Sequence, residues 1–287
     1  MALTNADRQI FCRDAIEWMQ SYEMLPGDVF TSIPDISELE FQIEKFNIRK
    51  YKEWFVNSST LILSKTPRCA VFLQTDVRCI DQKNQVTEYM DKSAMLQQAA
   101  ESLDFVLLWH KICSHVLRPE EKRCSHKPVW SHLLCFCRRN GHEYLANEWA
   151  TPDVFPRGDM VWSRGIGLHS VVVGISFLKH VAGAEIVVDP FCGHGTVLAV
   201  GNAVGMRGVG CELSAKRCRR AQALDMLPAL RGMGWRRRIH YGLTCELVEY
   251  VAGVTVDVTG GRDNDDTNAS VTCGGDLTSD VKCPQCR

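Results

Sequence analysis

The chain has 287 residues, 45% of them apolar, enough to bury the core of one large domain or two small ones. Its 33 Lys and Arg face 34 Asp and Glu, for a net charge of -1. That balance excludes a histone-like polycation or an acidic solvating chain as the whole molecule, so a polyanion must be met by a local patch. No apolar run nears the roughly 18 residues of a membrane span. The longest, over 105–109 and 171–178, are short and interrupted. Met1 to Arg8 carries an acid and polar groups where a signal peptide has a basic end and an apolar stretch. The expectation is an intracellular protein, cytoplasmic or nuclear, with no membrane partner. Its 14 Cys then read as reduced thiols, and the sequons at Asn57 and Asn268 as silent.

Short apolar runs alternate with stretches of helical period, the pattern of an α/β sheet. In chain order, 8–12 reads as a strand, and 14–22 as a helix with Ala15, Ile16 and Met19 on one face. Residues 28–32 read as a strand ending in a Pro turn, 51–63 as a helix and 69–74 as a strand. Then 92–104 reads as a helix, 105–109 as a strand, and 129–137 as another strand close behind it. Residues 170–181 read as a helix, 185–189 as a strand, 196–204 as a helix closed by Gly205, and 208–212 as a strand. Ser214 caps a helix over 215–226. The seven strands predict a doubly wound, mostly parallel α/β sheet, with ligands at the carboxyl ends of its strands.

No repeat of fixed period is present. Residues 1–252 read as the folded domain. Residues 253–287, rich in Gly, Asp, Asn, Thr and Ser, cannot bury enough surface to offset their ordering entropy, and read as a flexible polar tail. Cys283-Pro-Gln-Cys286 is half a zinc site, and Cys273 does not complete a tetrahedron. These read as loose thiols, and no metal site is expected.

The sharpest signal is Ile186-Val-Val-Asp-Pro-Phe-Cys-Gly-His-Gly-Thr196. A buried strand runs into Asp189, then a turn with Gly193 and Gly195, then a helix. Glycines let a ligand approach the backbone, and the new helix offers free N–H groups. Glu212 ends the next strand, where a carboxylate can accept both hydroxyls of a ribose. The three-glycine dinucleotide pattern and the Lys-Ser/Thr of a P-loop are both missing, so NAD and ATP fit poorly. Cys192 and His194 read as ordinary loop residues.

Asp189-Pro-Phe-Cys-Gly-His-Gly-Thr196 resembles the cofactor loop of S-adenosylmethionine-dependent amino-methyltransferases, which modify exocyclic nitrogens of nucleic-acid bases. The likeness extends over roughly residues 8–226. Residues 10–18, 28–35 and 51–76 resemble the catalytic half of the permuted, beta-type branch, in which that half precedes the cofactor loop. Trp162-Ser-Arg-Gly-Ile-Gly-Leu168 resembles the segment closing the methionine pocket. The resemblance implies S-adenosylmethionine as cofactor. Asp189, Phe191, Gly193, Gly195 and Thr196 would line its methionine end, with Phe30 and Ser163 completing the pocket. Glu212 would hold the ribose and Asp14 would approach the adenine, although Asp14 also reads as a helix N-cap. Residues 239–246 also read as a strand followed by a turn, a rival for the adenine contact.

The family's catalytic signature is Asn, Asp or Ser, then Pro-Pro, then an aromatic. Here it stands as Ser32-Ile33-Pro34-Asp35. Ser32 and Pro34 match; Ile33 replaces a Pro and Asp35 the aromatic. An exocyclic amine is a poor nucleophile because its lone pair is delocalised into the ring. Acceptors for its hydrogens, the Ser32 hydroxyl and the Ile33 carbonyl, hold it in line. The lost aromatic would stack on an extruded base. Asp35 could instead serve as general base on a ring N–H, or as a plain turn residue. Carbon methylation needs a Cys nucleophile, usually after Pro, and no Pro-Cys dipeptide occurs.

Asp76 and Arg78 follow a strand and Lys92 opens a helix, so all three are expected on the carboxyl rim as substrate contacts or solvated caps. His132 reads as a packed edge histidine. Basic clusters at 216–217, 219–220 and 236–238 could track phosphates or simply solvate a helix. The gap from 138 to 159 is short for a module reading a major groove. RNA is therefore favoured over duplex DNA as the partner, or a partner protein supplies target recognition. The reading is a methyltransferase acting on a base nitrogen of nucleic acid, RNA favoured. Its rivals are a DNA amino-methyltransferase and an inactive, methyltransferase-like partner subunit.

Overall fold

The computed structural model describes residues 7–39, 48–80, 86–115, 128–140, 151–162 and 165–232. Ser163, residues 236–238 and 239–246, Asn268 and the tail with its three cysteines lie outside the described residues. So do residues 141–150 of the 138–159 gap.

The chain opens with β1 (Arg8–Cys12), α1 (Ala15–Gln20), β2 (Asp28–Thr31), α2 (Ile48–Lys65) and β3 (Cys69–Gln74). It continues with β4 (Val77–Ile80), β5 (Val86–Met90), α3 (Lys92–Glu101), β6 (Phe105–Ser114), β7 (Trp130–Arg138) and β8 (Val154–Pro156). Then come α4 (Leu168–Ser176), β9 (Ile186–Asp189), α5 (Thr196–Ala203), β10 (Arg207–Glu212), α6 (Ala215–Ala223) and α7 (Leu227–Gly232). The main sheet has the order β1-β10-β9-β2-β3-β7-β6-β8. From β1 through β3 every neighbouring pair is parallel, while β7 runs antiparallel to both β3 and β6.

Helices cover both faces. On one, α4 and α5 bury Val171, Val173, Leu198 and Val200 against Val71, Leu133 and Val187. On the other, α1, α2 and α3 bury Trp18, Phe55, Ile62 and Leu96 against Val29, Phe72 and Leu134. A strand covered on both faces needs an apolar run rather than an alternation, which explains why every residue of Cys69-Ala-Val-Phe-Leu-Gln74 is buried. Edge strand β1 is pinned by the Arg8 guanidinium, which donates to Asn202 Oδ1 at 2.6 Å and to the carbonyls of Ala221 (2.6 Å) and Leu224 (2.8 Å).

The doubly wound, mostly parallel sheet agrees with the sequence reading, but its strand count does not: it has eight strands rather than seven. The added β8 spans only three residues and ends in Pro156, too short to show a period. The separate β4–β5 hairpin was also missed, because Arg78 and Glu88 interrupt its two apolar runs. Strand β6 extends beyond the expected 109 because Lys111, which interrupts its apolar run, is satisfied locally. Its ammonium donates to the Thr151 carbonyl and to Asp153 Oδ1, both at 3.0 Å. The nine described cysteines are free thiols. Among the described residues no helix is long and apolar enough to cross a membrane.

Candidate functional site

Because β1, β10, β9, β2 and β3 are parallel, their carboxyl ends share one edge. That edge gathers Asp14, Glu212, Asp189, the 32–35 turn and Asp76. It divides into two halves.

The first half is the glycine loop after β9. Asp189 is 2% exposed. Its Oδ1 accepts from Thr31 Oγ1 at 2.7 Å and from the Phe191 amide at 3.1 Å. Burial pushes its pKa up to about 7; the two hydrogen bonds offset part of that rise and the nearby Glu212 adds to it. Gly193 and Gly195 have φ of +52° and +80°, which L side chains adopt only with strain. A Cβ on Gly195 would lie 2.8 Å from Ala221 Cβ, so close packing on α6 demands glycine there. A Cβ on Gly193 would meet nothing within 4 Å, so that backbone faces open space. The Cys192 amide donates to the Cys211 carbonyl at 2.9 Å, fixing the loop to β10.

Thr196 opens α5 and is buried. Glu212 is 9% exposed, accepts from the Ser214 amide at 2.8 Å, and lies 3.8 Å from the Arg217 guanidinium. Asp14 caps α1 by accepting from the Ile16 and Glu17 amides at 2.9 and 3.1 Å, beside Glu212 through the Arg13 amide bond to the Glu212 carbonyl. Phe191 is half-buried, its ring 6.2 Å from that of Trp54. Trp162 stacks on His194 with ring centroids 4.6 Å apart. Phe30 departs from expectation. It is fully buried, and its Cε1 lies 2.4 Å from where a Cβ on Gly174 would stand, so its ring is a core element under α4 rather than part of the pocket.

The second half follows β2 and β3. Ser32 is half-buried at the start of the turn. Ile33 turns its side chain inward at 2% exposure. The Pro34 carbonyl accepts from the Tyr51 hydroxyl at 2.9 Å, and the Asp35 amide donates to Glu38 Oε2 at 3.1 Å. The Asp35 carboxylate, 47% exposed, accepts from the Lys92 ammonium, whose side chain is 1% exposed. That ammonium also sits 5.7 and 5.5 Å from the Tyr51 and Phe55 ring centroids, favourable for a desolvated cation. Lys92 is therefore a buried partner of the turn, not the exposed substrate contact expected of it.

Asp76 is corrected in the same way. It is 4% exposed, and its oxygens accept from the Tyr89 hydroxyl at 2.6 Å, the Lys92 amide at 2.9 Å and His132 Nε2 at 3.0 Å. Burial alone would raise its pKa, but these bonds outweigh it and the net shift is downward. Arg78 stands half-buried on β4, opposite Tyr89. Ligand atoms of Asp76, Asp91 and His132 lie within 4.8 Å of one another, a spacing that suits a cation, but Asp76 and His132 are already bonded to each other. His132 Nδ1 in turn lies 2.8 Å from His110 Nε2. His110 and the Lys92–Asp35 pair are the members the sequence reading missed. Two histidines on consecutive strands near an aspartate were the available signal for the first. Nothing in the spacing of 35 and 92 signalled the second.

No family model and no curated protein matches the chain. Solved structures do. PvuII DNA methyltransferase (cytosine-N4-specific) is 13% identical with a TM-score of 0.53, covering 90% of this chain and 98% of that one. TTHA0409, a candidate DNA modification methylase of Thermus thermophilus solved in complex with S-adenosyl-L-methionine, is 18% identical with a TM-score of 0.52. The match covers 75% of this chain and 91% of that one. At these identities the likeness is one of fold, that of the mostly parallel α/β sheet described above.

Proposed function

We propose that the protein is an S-adenosylmethionine-dependent methyltransferase acting on an exocyclic nitrogen of a nucleic-acid base. The observation that carries this reading is the first half of the edge. A glycine backbone at 193 faces open space, flanked by the carboxylates of Asp189 and Glu212. The Glu212 carboxylate suits ribose hydroxyls, and without a third glycine or a Lys-Ser/Thr pair the loop lacks the cradle that the phosphates of NAD or ATP need. Glu212 would take the ribose hydroxyls with its free oxygen, and Asp14 would stand beside it at the adenine end. Asp189, Phe191, Gly193, Gly195 and Thr196 would shape the methionine end. When bound, the cofactor supplies an electrophilic methyl group on a positively charged sulfur.

The chain's own contribution is to hold the acceptor. The Ser32 hydroxyl and the Ile33 carbonyl would accept the amine hydrogens and turn its lone pair in line, with Pro34 fixing the turn. Asp35 has an oxygen occupied by the Lys92 ammonium, which favours an amine acceptor over a ring N–H that needs a free base. The neighbours named for a substrate are named for DNA, so DNA is the polymer they favour over the RNA expected from the short gap at 138–159. That gap also leaves room for a partner protein supplying target recognition.

The test is incubation with cofactor bearing a deuterated methyl group and with DNA or RNA, followed by mass spectrometry of the nucleosides. A deuterated methyl on an amino nitrogen is expected. Cofactor binding without any labelled nucleoside from either polymer would point to the inactive partner subunit instead.

A further inference from the structure

Asp76, His132 and His110 form a hydrogen-bonded chain that runs from the buried rim of β3 across β7 to the surface of β6. Asp76 Oδ2 to His132 Nε2 is 3.0 Å, and His132 Nδ1 to His110 Nε2 is 2.8 Å. Asp76 and His132 are 4% and 5% exposed, whereas His110 is exposed. Assembling buried polar groups costs free energy unless each is satisfied, and a fully satisfied network fixes the orientation of its members.

The donors and acceptors can be assigned by following the chain outward. The Asp76 carboxylate only accepts, so His132 Nε2 carries the hydrogen. In the form in which both rings are neutral, each carries a single hydrogen. His132 Nδ1 is then an acceptor, which obliges His110 Nε2 to donate. The remaining ring nitrogen, His110 Nδ1, is left bare as an acceptor on an exposed ring, with no hydrogen-bond partner among the described residues.

The place of this nitrogen matters. His132 pairs with Gln74 at the carboxyl end of β3 and with Ile112 on β6, and His110 lies two residues inward from Ile112, opposite Leu134. Lys92 joins this region to the acceptor turn, because its amide binds Asp76 while its ammonium binds Asp35. The edge near β6 thus flanks the acceptor turn on the side away from the glycine loop.

We infer that His110 Nδ1 is a hydrogen-bond acceptor subsite for the nucleotide next to the methylated one, its tautomer set by Asp76 and His132. The ligand is a donor group of that nucleotide, either a ribose 2′-hydroxyl or a base N–H. This rests on the nucleic-acid reading above. Asp76 and His132 are positioning residues; His110 makes the contact.

The first measurement is nitrogen-15 NMR of the full chain at pH 8, which should show His110 protonated at Nε2 and bare at Nδ1. The second is the affinity of the cofactor-bound protein for short single-stranded RNA and DNA oligonucleotides of one base sequence. His110→Phe keeps a ring of similar size and removes the acceptor. It should weaken oligonucleotide binding about 3–10-fold, the worth of one neutral hydrogen bond, and leave cofactor affinity unchanged. Loss on RNA alone would identify the 2′-hydroxyl, and equal loss on both polymers a base N–H. Wild-type affinity in His110→Phe, or a hydrogen on His110 Nδ1, would overturn the subsite while leaving methyl transfer intact. A wild type that binds neither polymer would overturn the subsite together with the function it rests on.

Discussion

The glycine-loop half and the acceptor half of the carboxyl edge reach their geometry by different means. From Asp189 to Thr196 most of the shape is local, with the Thr31 hydroxyl on Asp189 and the Cys211 carbonyl on the Cys192 amide as ties to β2 and β10. Asp189 binds the amide two residues on, Gly193 and Gly195 take positive φ, and Glu212 binds the Ser214 amide. In the acceptor half the bonds are long-range: Asp35 with Lys92, Asp76 with His132, His132 with His110. A loop shaped mainly by its own glycines and near-neighbour bonds can hold one cofactor shape. An acceptor pocket assembled from several strands and a helix can be changed by substituting any one of them. The altered turn Ser32-Ile33-Pro34-Asp35, buttressed by a lysine from α3, is consistent with that freedom.

If the halves are separable, substitutions in one should spare the other. The largest expected effect is on rate. Ser32→Ala should lower methyl transfer roughly 10²–10⁴-fold while leaving cofactor affinity at the wild-type value. Parallel loss of cofactor binding would join the halves and break the comparison.

A second effect belongs to the glycine-loop half alone. The folded-state pKa of Asp189 is raised to about 7, above the ordinary aspartate value, so between about pH 4 and 7 the folded chain holds a proton that the unfolded chain has lost. Stability from this group is therefore highest at low pH and falls as pH rises toward 7. Asp189→Asn keeps an acceptor for the Thr31 hydroxyl and the Phe191 amide without the charge. It should gain on the order of 2 kcal/mol relative to wild type between pH 5 and 7.5. Chemical denaturation of both proteins at the two pH values measures this, and parallel curves would refute the buried-carboxylate account.

The smallest effect is an asymmetry within the acceptor half. The Lys92 side chain is 1% exposed and that of Asp35 is 47% exposed. Asp35→Asn leaves a buried ammonium without its countercharge and should cost about 1–2 kcal/mol, below the figure for a fully buried pair. Lys92→Met leaves a carboxylate that water can solvate and should cost less than about 1 kcal/mol. Urea unfolding of the two variants decides the order.

The same contrast governs how much was legible beforehand. The seven expected strands and the glycine loop follow from apolar runs, turn glycines and spacing within a few residues, and all are present in the fold. Glu212 and Asp189 were legible for that reason. Phe30 was not, because only the packing of β2 under Gly174 decides which way that ring points. Lys92 read as an exposed helix start because its charge favours water. Its burial depends on Asp35, Tyr51 and Phe55, none of which adjoins it in sequence. His110 lies just past the strand read over 105–109, and its pairing depends on a bulge between Leu107 and Trp109 that brings it to His132. The hairpin β4–β5 was hidden by Arg78 and Glu88, which interrupt its apolar runs, and strand β8 was too short to show a period.

The central claim is that the acidic glycine-loop half holds S-adenosylmethionine through Glu212. Titration calorimetry of the full chain tests it most directly. Wild type should bind S-adenosylmethionine and its demethylated product but neither NAD nor ATP. Glu212→Ala should weaken that binding by about 1.5–3 kcal/mol, the range for hydrogen bonds to a charged group. A folded Glu212→Ala protein with undiminished affinity, or a wild type that takes up no S-adenosylmethionine, would contradict the account.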